Sequence, residues 1–193
     1  ACWVNIPHVT QHIDVDITDL EKYRNKIKGH LKSQGVRVTP VTFVIKAIAN
    51  VLKQFPRFCS SLDESGKKLM IKKYVHIGVA VDTENGLMVP VIKDVDQKSV
   101  LSLAKELMDV GQKSRDGEIK PADLRGGCIT VSSLGGIGGR YFTPIINAPE
   151  VAIIGLSKTF SHLVLNDGEV QSRTLLPVSI SYDHRVIDGA EGA

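Results

Sequence analysis

The alternation of apolar and polar positions opens with Ile13, Val15 and Ile17, which predicts a strand. Thr18 followed by Glu21 has the spacing of a capping box. The helix it opens carries Leu20, Tyr23, Ile27 and Leu31 on one face and ends at Gly35. Thr39-Pro40 predicts an N-cap with proline in the first helical position. The helix that follows, to about Gln54, is apolar almost all round (Phe43, Val44, Ile45, Ala47, Ile48, Val51, Leu52), so deep burial is expected. Strands are expected at Lys68–Lys72 and Val75–Asp82. The latter is joined to Leu87–Ile92 through a Glu84-Asn85-Gly86 hairpin turn. Ser99 caps a third helix with Leu101, Ala104, Leu107 and Met108 facing inward. Its last turn is basic, and Gly117 follows.

The final third reads as strands at Cys128–Ser132, Val151–Leu156, Leu163–Leu165, Glu169–Arg173 and Leu175–Tyr182, with a second hairpin turn at Asn166-Asp167-Gly168. Several strands with three helices that do not alternate regularly predict an α/β fold. Its form is a two-layer sandwich, a mixed sheet with helices on one face.

The chain has 193 residues, which suits one sizeable domain. A hydrophobic fraction of 42% supports a core, and the net charge of +3 is spread along the chain. The only basic cluster, Lys67-Lys68 and Lys72-Lys73, reads as a solvated edge, so no nucleic-acid partner is expected. Three cysteines without CxxC spacing fit a reducing compartment, and Cys128 in its strand-like run reads as a small buried residue. No apolar run approaches the roughly 18 residues of a membrane span.

The chemistry concentrates in Ser181-Tyr182-Asp183-His184-Arg185-Val186-Ile187-Asp188-Gly189. A strand ends there in a charged turn that holds one histidine, whose unperturbed pKa of about 6.5 suits proton transfer near neutrality. A strand-end turn holds such a ring rigidly and still exposes it. Taken alone, a lone histidine is more often structural, and His8, His12, His30, His76 and His162 take that reading. No HExxH motif is present, so no metal is expected. Gly135-Gly136-Ile137-Gly138-Gly139 is not GxGxxG, which disfavours a dinucleotide loop; it reads as a mobile or tightly packed loop near the site. No G-x-S-x-G elbow supports a serine hydrolase.

His184-Arg185-Val186-Ile187-Asp188-Gly189 resembles the HxxxDG signature of the chloramphenicol acetyltransferase-like superfamily. The longer SYDHRVIDGA resembles the form found in acyltransferase (E2) subunits of 2-oxo acid dehydrogenase complexes. Ile6–Thr10, Gly78–Thr83, Gly86–Val91, Val131–Gly136 and Asn147–Ile153 resemble the same family, in its order. The wording around Ser132–Gly139 and Thr143–Glu150 is most similar to bacterial acetyl-transferring members of pyruvate dehydrogenase complexes.

The resemblance implies that His184 is the general base for the coenzyme A thiol, Ser132 the donor to the oxyanion, and Asp188 an orienting, structural residue. The bare serine would otherwise read as a strand-end hydroxyl bonding its own backbone, and Ser133 leaves the identity of the donor open. Arg57 and Ser60 fall where family members approach coenzyme A. In that stretch the family commonly has asparagine in place of Cys59. The substrates implied are acetyl-CoA and a dihydrolipoyl group supplied by a lipoyl domain outside this chain. No lipoyl or subunit-binding domain is visible, and the family's final helix is expected beyond Ala193. Implied partners are copies of the chain, as trimers assembling into a 24-mer cubic core with the site between subunits, and the E1 and E3 enzymes. The expected location is cytoplasmic in a bacterium, or the mitochondrial matrix in a eukaryote. Succinyl or branched-chain acyl transfer and a non-catalytic E2-like scaffold are the alternatives.

Overall fold

A computed structural model describes residues 2–63, 65–166 and 168–193. Helix α1 (Cys2–Asn5) leads into strand β1 (His8–Asp16), then helices α2 (Thr18–Ser33) and α3 (Pro40–Val51). A 3-10 turn at Pro56–Cys59 precedes β2 (Ser60–Leu62), β3 (Leu69–Ile71), β4 (Ile77–Val79), β5 (Val81–Thr83), β6 (Gly86–Met88) and β7 (Val91–Ile92). Helix α4 (Val100–Arg115) is followed by β8 (Ile129–Ser133), β9 (Ala152–Leu156), β10 (Phe160–Asn166), β11 (Glu169–Asp183) and α5 (Gly189–Gly192).

The seven-stranded sheet runs β1-β11-β9-β8-β4-β7, with β10 alongside the first half of β11. Its centre is mixed: β8 is parallel to β4 and β9, whereas β11 is antiparallel to β1 and β9. Ile45, Ile48 and Ala49 of α3, Leu52 just after it and Leu103 of α4 pack on Ile129, Val131, Ala152, Leu156 and Leu176 of the sheet. Each such aliphatic side chain contributes about 1.5–3 kcal/mol on burial. This is the expected two-layer mixed sandwich.

Several local expectations change. Thr18 does not form a capping box with Glu21. The Thr18 amide and hydroxyl both donate to Asp16 Oδ1, at 2.9 and 2.6 Å, and Glu21 instead pairs with Arg24. A carboxylate two residues upstream is the stronger acceptor for the first free amides. The Thr18 oxygen receives the Thr174 amide at 2.8 Å, so it ties α2 to β11. Gly35, at φ +71°, ends α2 as expected, with the Val36 amide returning to Leu31 O.

Helix α3 stops at Val51 and is buried on one side only. Phe43, Val44, Ala47 and Val51 line an open apolar groove of about 630 Å3, facing Val15 and Ile180 of the sheet. On α4 the inward residues are Leu103 and Ala104, while Met108 is exposed. Proline and register divide the two middle strands: β4 ends before Ala80 and β6 before Val89-Pro90, because Pro90 has no amide to donate. The Glu84-Asn85 turn closes as a hairpin, with Thr83 paired to Gly86. The two strands expected at the end of the chain are one, β11, continuous through Thr174. Asn166 pairs with Glu169 across the second hairpin, whose Asp167 lies outside the described residues.

Candidate active site

The long strand β11 ends at Asp183, and the chain turns through His184 and Arg185 before burying Val186 and Ile187. Three features hold this turn. The Val186 and Ile187 amides both donate to Asp183 O at 2.9 Å. The buried Asp183 carboxylate accepts from the Arg185 amide at 3.0 Å, and its Oδ2 accepts from Arg185 Nη2 at 2.6 Å. That ion pair holds the guanidinium charged and raises its pKa, by hydrogen bonding first and Coulomb attraction last. Finally, the His184 amide donates to Pro7 O at 2.9 Å, which docks the turn on the start of β1.

The turn is therefore fixed by its neighbours, while His184 itself points out. Its ring is exposed, lies over Tyr182 with centroids 6.3 Å apart, and has no side-chain hydrogen bond among the described residues. A cavity of about 400 Å3 opens beside the turn, lined by Ile6, Leu62, Pro149, Glu150, Asp183 and Arg185. Asp188 accepts the Glu191 amide at 2.8 Å and so caps α5; it does not touch His184.

Ser132 sits near the end of β8, half-buried, with no hydrogen bond to its hydroxyl among the described residues. Its neighbour Ser133 is the one that bonds its own backbone, accepting the Gly135 amide at 3.4 Å. Ser132 thus keeps a hydroxyl without a partner among the described residues, whereas the Ser133 oxygen already accepts an amide. The glycine-rich loop after it is organised by the Ile137 and Gly138 amides, which both donate to Leu134 O.

His184 and Ser132 do not meet within one chain. Ser132 pairs with Gly155, and Gly155 with Ser179 of β11. His184 lies five positions beyond Ser179 toward the opposite end of the sheet. At about 3.3 Å per residue and about 5 Å per strand, the two are roughly 20 Å apart.

Ser60 does not present a donor to a ligand. It is fully buried, and its hydroxyl donates to Arg57 O at 2.5 Å, closing the 3-10 turn. The Arg57 guanidinium is turned inward to Val186 O and lies 3.1 Å from Glu191 Oε2, so it braces the histidine turn. Arg57 and Ser60, expected near coenzyme A, thus have structural duties here.

His8 has the structural role expected of it, and Glu150 is a group that the sequence reading did not single out. His8 donates from Nδ1 to Ile6 O at 2.7 Å and accepts the Ile146 amide on Nε2 at 3.0 Å, which defines a neutral tautomer. Glu150 is buried, and its carboxyl is pushed up to about 7 by loss of solvation. Its only sequence signal was its place in the family stretch Asn147–Ile153. Among the described residues no cluster of three or more His, Cys, Asp or Glu is placed to hold a metal ion, and no helix is long and apolar enough to cross a membrane.

A mixed sheet backed by helices on one face is a fold shared with chloramphenicol acetyltransferase. A solved chain of that protein aligns over 96% of this chain and 83% of its own, with a TM-score of 0.62 at 16% identity. The chain belongs to the 2-oxoacid dehydrogenase acyltransferase (catalytic domain) family, whose model matches residues 1–193.

A curated Haemophilus influenzae relative is the dihydrolipoyllysine-residue acetyltransferase component of pyruvate dehydrogenase complex. It is 53% identical over 99% of this chain and 34% of its own length. The Bacillus subtilis protein of the same name is 41% identical over 95% of this chain and 42% of its own. A solved Azotobacter vinelandii dihydrolipoamide acetyltransferase superposes with a TM-score of 0.95 at 52% identity, covering 99% of this chain and 79% of that one. A structure of the cubic core of the pyruvate dehydrogenase multienzyme complex gives the same values. The chain spans about a third of the length of the Haemophilus influenzae and Cupriavidus necator relatives that it matches.

Proposed function

We propose that this domain transfers an acetyl group between a dihydrolipoyl thioester and coenzyme A, as the core of a pyruvate dehydrogenase complex. The observation that carries the reading is a free, exposed His184 on a braced turn and a free Ser132 hydroxyl at the far end of the sheet. Support comes from the Azotobacter vinelandii enzyme, where a serine, a histidine and an asparagine were investigated for their role in catalysis. Those three lie 52 and 4 residues apart, and so do Ser132, His184 and Asp188.

In this scheme His184 takes the proton from the coenzyme A thiol. The thiolate attacks the thioester carbonyl, and the tetrahedral oxyanion accepts a hydrogen bond from Ser132. Such a donor contributes about 3 kcal/mol to the transition state. Collapse expels the dihydrolipoyl thiolate, which receives the proton back from His184. Holding the two thiol substrates head to head contributes at least as much as the base. Asp188 acts only through α5 and the shape of the turn.

A separation of roughly 20 Å is too long for one tetrahedral centre to touch both groups. The site therefore forms between copies, with His184 from one chain and Ser132 from its neighbour in a trimer, and the trimers build a cubic core as in the solved relative. E1 and E3 act through parts of the longer protein, and the lipoyl group comes from the same source.

Mixing chains tests this directly. His184→Ala and Ser132→Ala homo-oligomers are each expected to be nearly inactive in acetyl transfer from acetyl-CoA to dihydrolipoamide. Co-refolded in equal amounts they form mixed oligomers in which roughly a quarter of the sites regain both groups. No recovery on mixing, with mixed oligomers verified by mass spectrometry, overturns the shared site. Full turnover by His184→Ala overturns the acyl-transfer mechanism itself.

A further inference from the structure

Outside the proposed site, two of the three cysteines converge on one atom. Cys59 Sγ donates to Tyr74 O at 3.2 Å, and Cys128 Sγ donates to the same oxygen at 3.1 Å. Sharing one carbonyl oxygen makes the two thiols neighbours. They come from residues 69 positions apart, so only the fold brings them together.

Neither sulfur is free to drift away. Cys59 closes the Pro56–Cys59 turn, and its carbonyl accepts the Lys72 amide at 2.8 Å. Cys128 stands just before β8, and its amide donates to His76 O at 2.8 Å. Both side chains are buried. Lys72 runs past the pair, and its ammonium is anchored on Gly127 O, beside Cys128. On the other side of Gly127 lies Glu150, which lines the 400 Å3 cavity. The two thiols are thus unequal. The neighbouring Cys59, then the His76 backbone amide and the Lys72 charge, draw the Cys128 thiol down against its burial; the neighbouring Cys128 and burial push the Cys59 thiol up. Such an asymmetric pair has the form of an attacking and a resolving thiol.

We propose that Cys59 and Cys128 form a modification site, a buried dithiol that hydrogen peroxide oxidises to an intramolecular disulfide. The Cys128 thiolate attacks one peroxide oxygen, the O–O bond breaks, and hydroxide leaves; Cys128 becomes a sulfenic acid. The Cys59 sulfur then attacks Cys128 Sγ, the S–O bond breaks, and a second hydroxide leaves. The two hydroxides take up the two thiol protons, so two thiols and one peroxide become one disulfide and two waters. Glu150 and Gly127 stand between the cavity and the buried Cys128, so peroxide, a small oxidant, reaches the pair by local opening there. Closing the bond brings two sulfurs that share one carbonyl partner to about 2.05 Å.

Cys2, half-exposed at the start of the chain, is an internal control. The native protein is treated with hydrogen peroxide, quenched, unfolded, alkylated and digested without reduction, and its peptides are weighed. The expected result is a peptide in which Cys59 and Cys128 are joined, both thiols lost in equal amounts, and full recovery with dithiothreitol. Cys59→Ser should leave Cys128 oxidised without a cross-link, and Cys128→Ser should leave Cys59 reduced. The proposal is overturned by a dose that oxidises Cys2 while both buried thiols still alkylate after unfolding. A cross-link that forms only in protein unfolded before treatment overturns it equally.

Discussion

The Thr130 hydroxyl donates to Glu150 Oε2 at 2.6 Å, joining β8 to the loop that leads into β9 beneath the histidine turn. The next residue, Val151, accepts the Asp183 amide at 2.8 Å. One buried carboxylate therefore registers the strand that carries Ser132 and the strand that ends in His184.

That carboxylate makes stability depend on pH in a defined direction. Burial raises its pKa from 4.5 to about 7, so the folded state holds a proton that the unfolded state has released. The stabilisation is complete below about pH 4.5 and is lost as pH rises through 7. A shift of this size corresponds to at most about 3 kcal/mol. Wild-type Tm is expected to fall between pH 5 and about pH 7.5 more than that of Glu150→Gln, which keeps an acceptor for Thr130 but cannot titrate. Parallel melting curves for the two proteins would exclude Glu150 as the source.

Removing the imidazole should separate chemistry from fold. His184 is exposed and its ring makes no hydrogen bond among the described residues, so His184→Ala should melt within about 0.5 kcal/mol of wild type. Acetyl transfer should fall by about 100-fold to 10,000-fold. Ser132→Ala should lower kcat by about 100-fold with little change in KM. A rise in KM alone for Ser132→Ala would argue for binding rather than oxyanion stabilisation.

Asp188 offers a contrast. Its carboxylate accepts the Glu191 amide, an N-cap that asparagine reproduces. Asp188→Asn should leave urea stability within a few tenths of a kcal/mol, whereas Asp188→Ala loses about 1 kcal/mol. Equal losses in both would point to the charge instead of the cap.

Gly155 stands opposite Ser132 in the sheet, and a Cβ there would meet the Phe142 ring at 2.5 Å. Gly155→Ala should cost about 1–3 kcal/mol and displace Phe142. Because Gly155 is the strand partner of Ser132, kcat should fall with it. Chemical denaturation and steady-state kinetics on the same sample check both effects.

Much of the fold was legible. The Thr39-Pro40 start of α3, the Ser99 cap of α4 and the glycine ends of α2 and α4 follow from local chemistry, since a cap satisfies backbone groups only a few residues away. The Thr18 expectation failed because a nearer, charged acceptor, Asp16, outcompetes the hydroxyl. Met108 was misplaced because helical spacing defines a face but not which part of it the neighbouring element covers.

The candidate site divides along the same line. The sequence by itself determined the kinds of groups, their family and their order: one histidine on a charged turn, a serine at a strand end, an aspartate that caps. Only the tertiary structure decided where they stand, because sheet register is set by contacts between residues far apart in the chain. It separated His184 from Ser132, withdrew Ser60 into the core, and brought Cys59 against Cys128 and Glu150 against Thr130. Those pairings depend on which side chains share a buried space, and burial is a property of the folded chain.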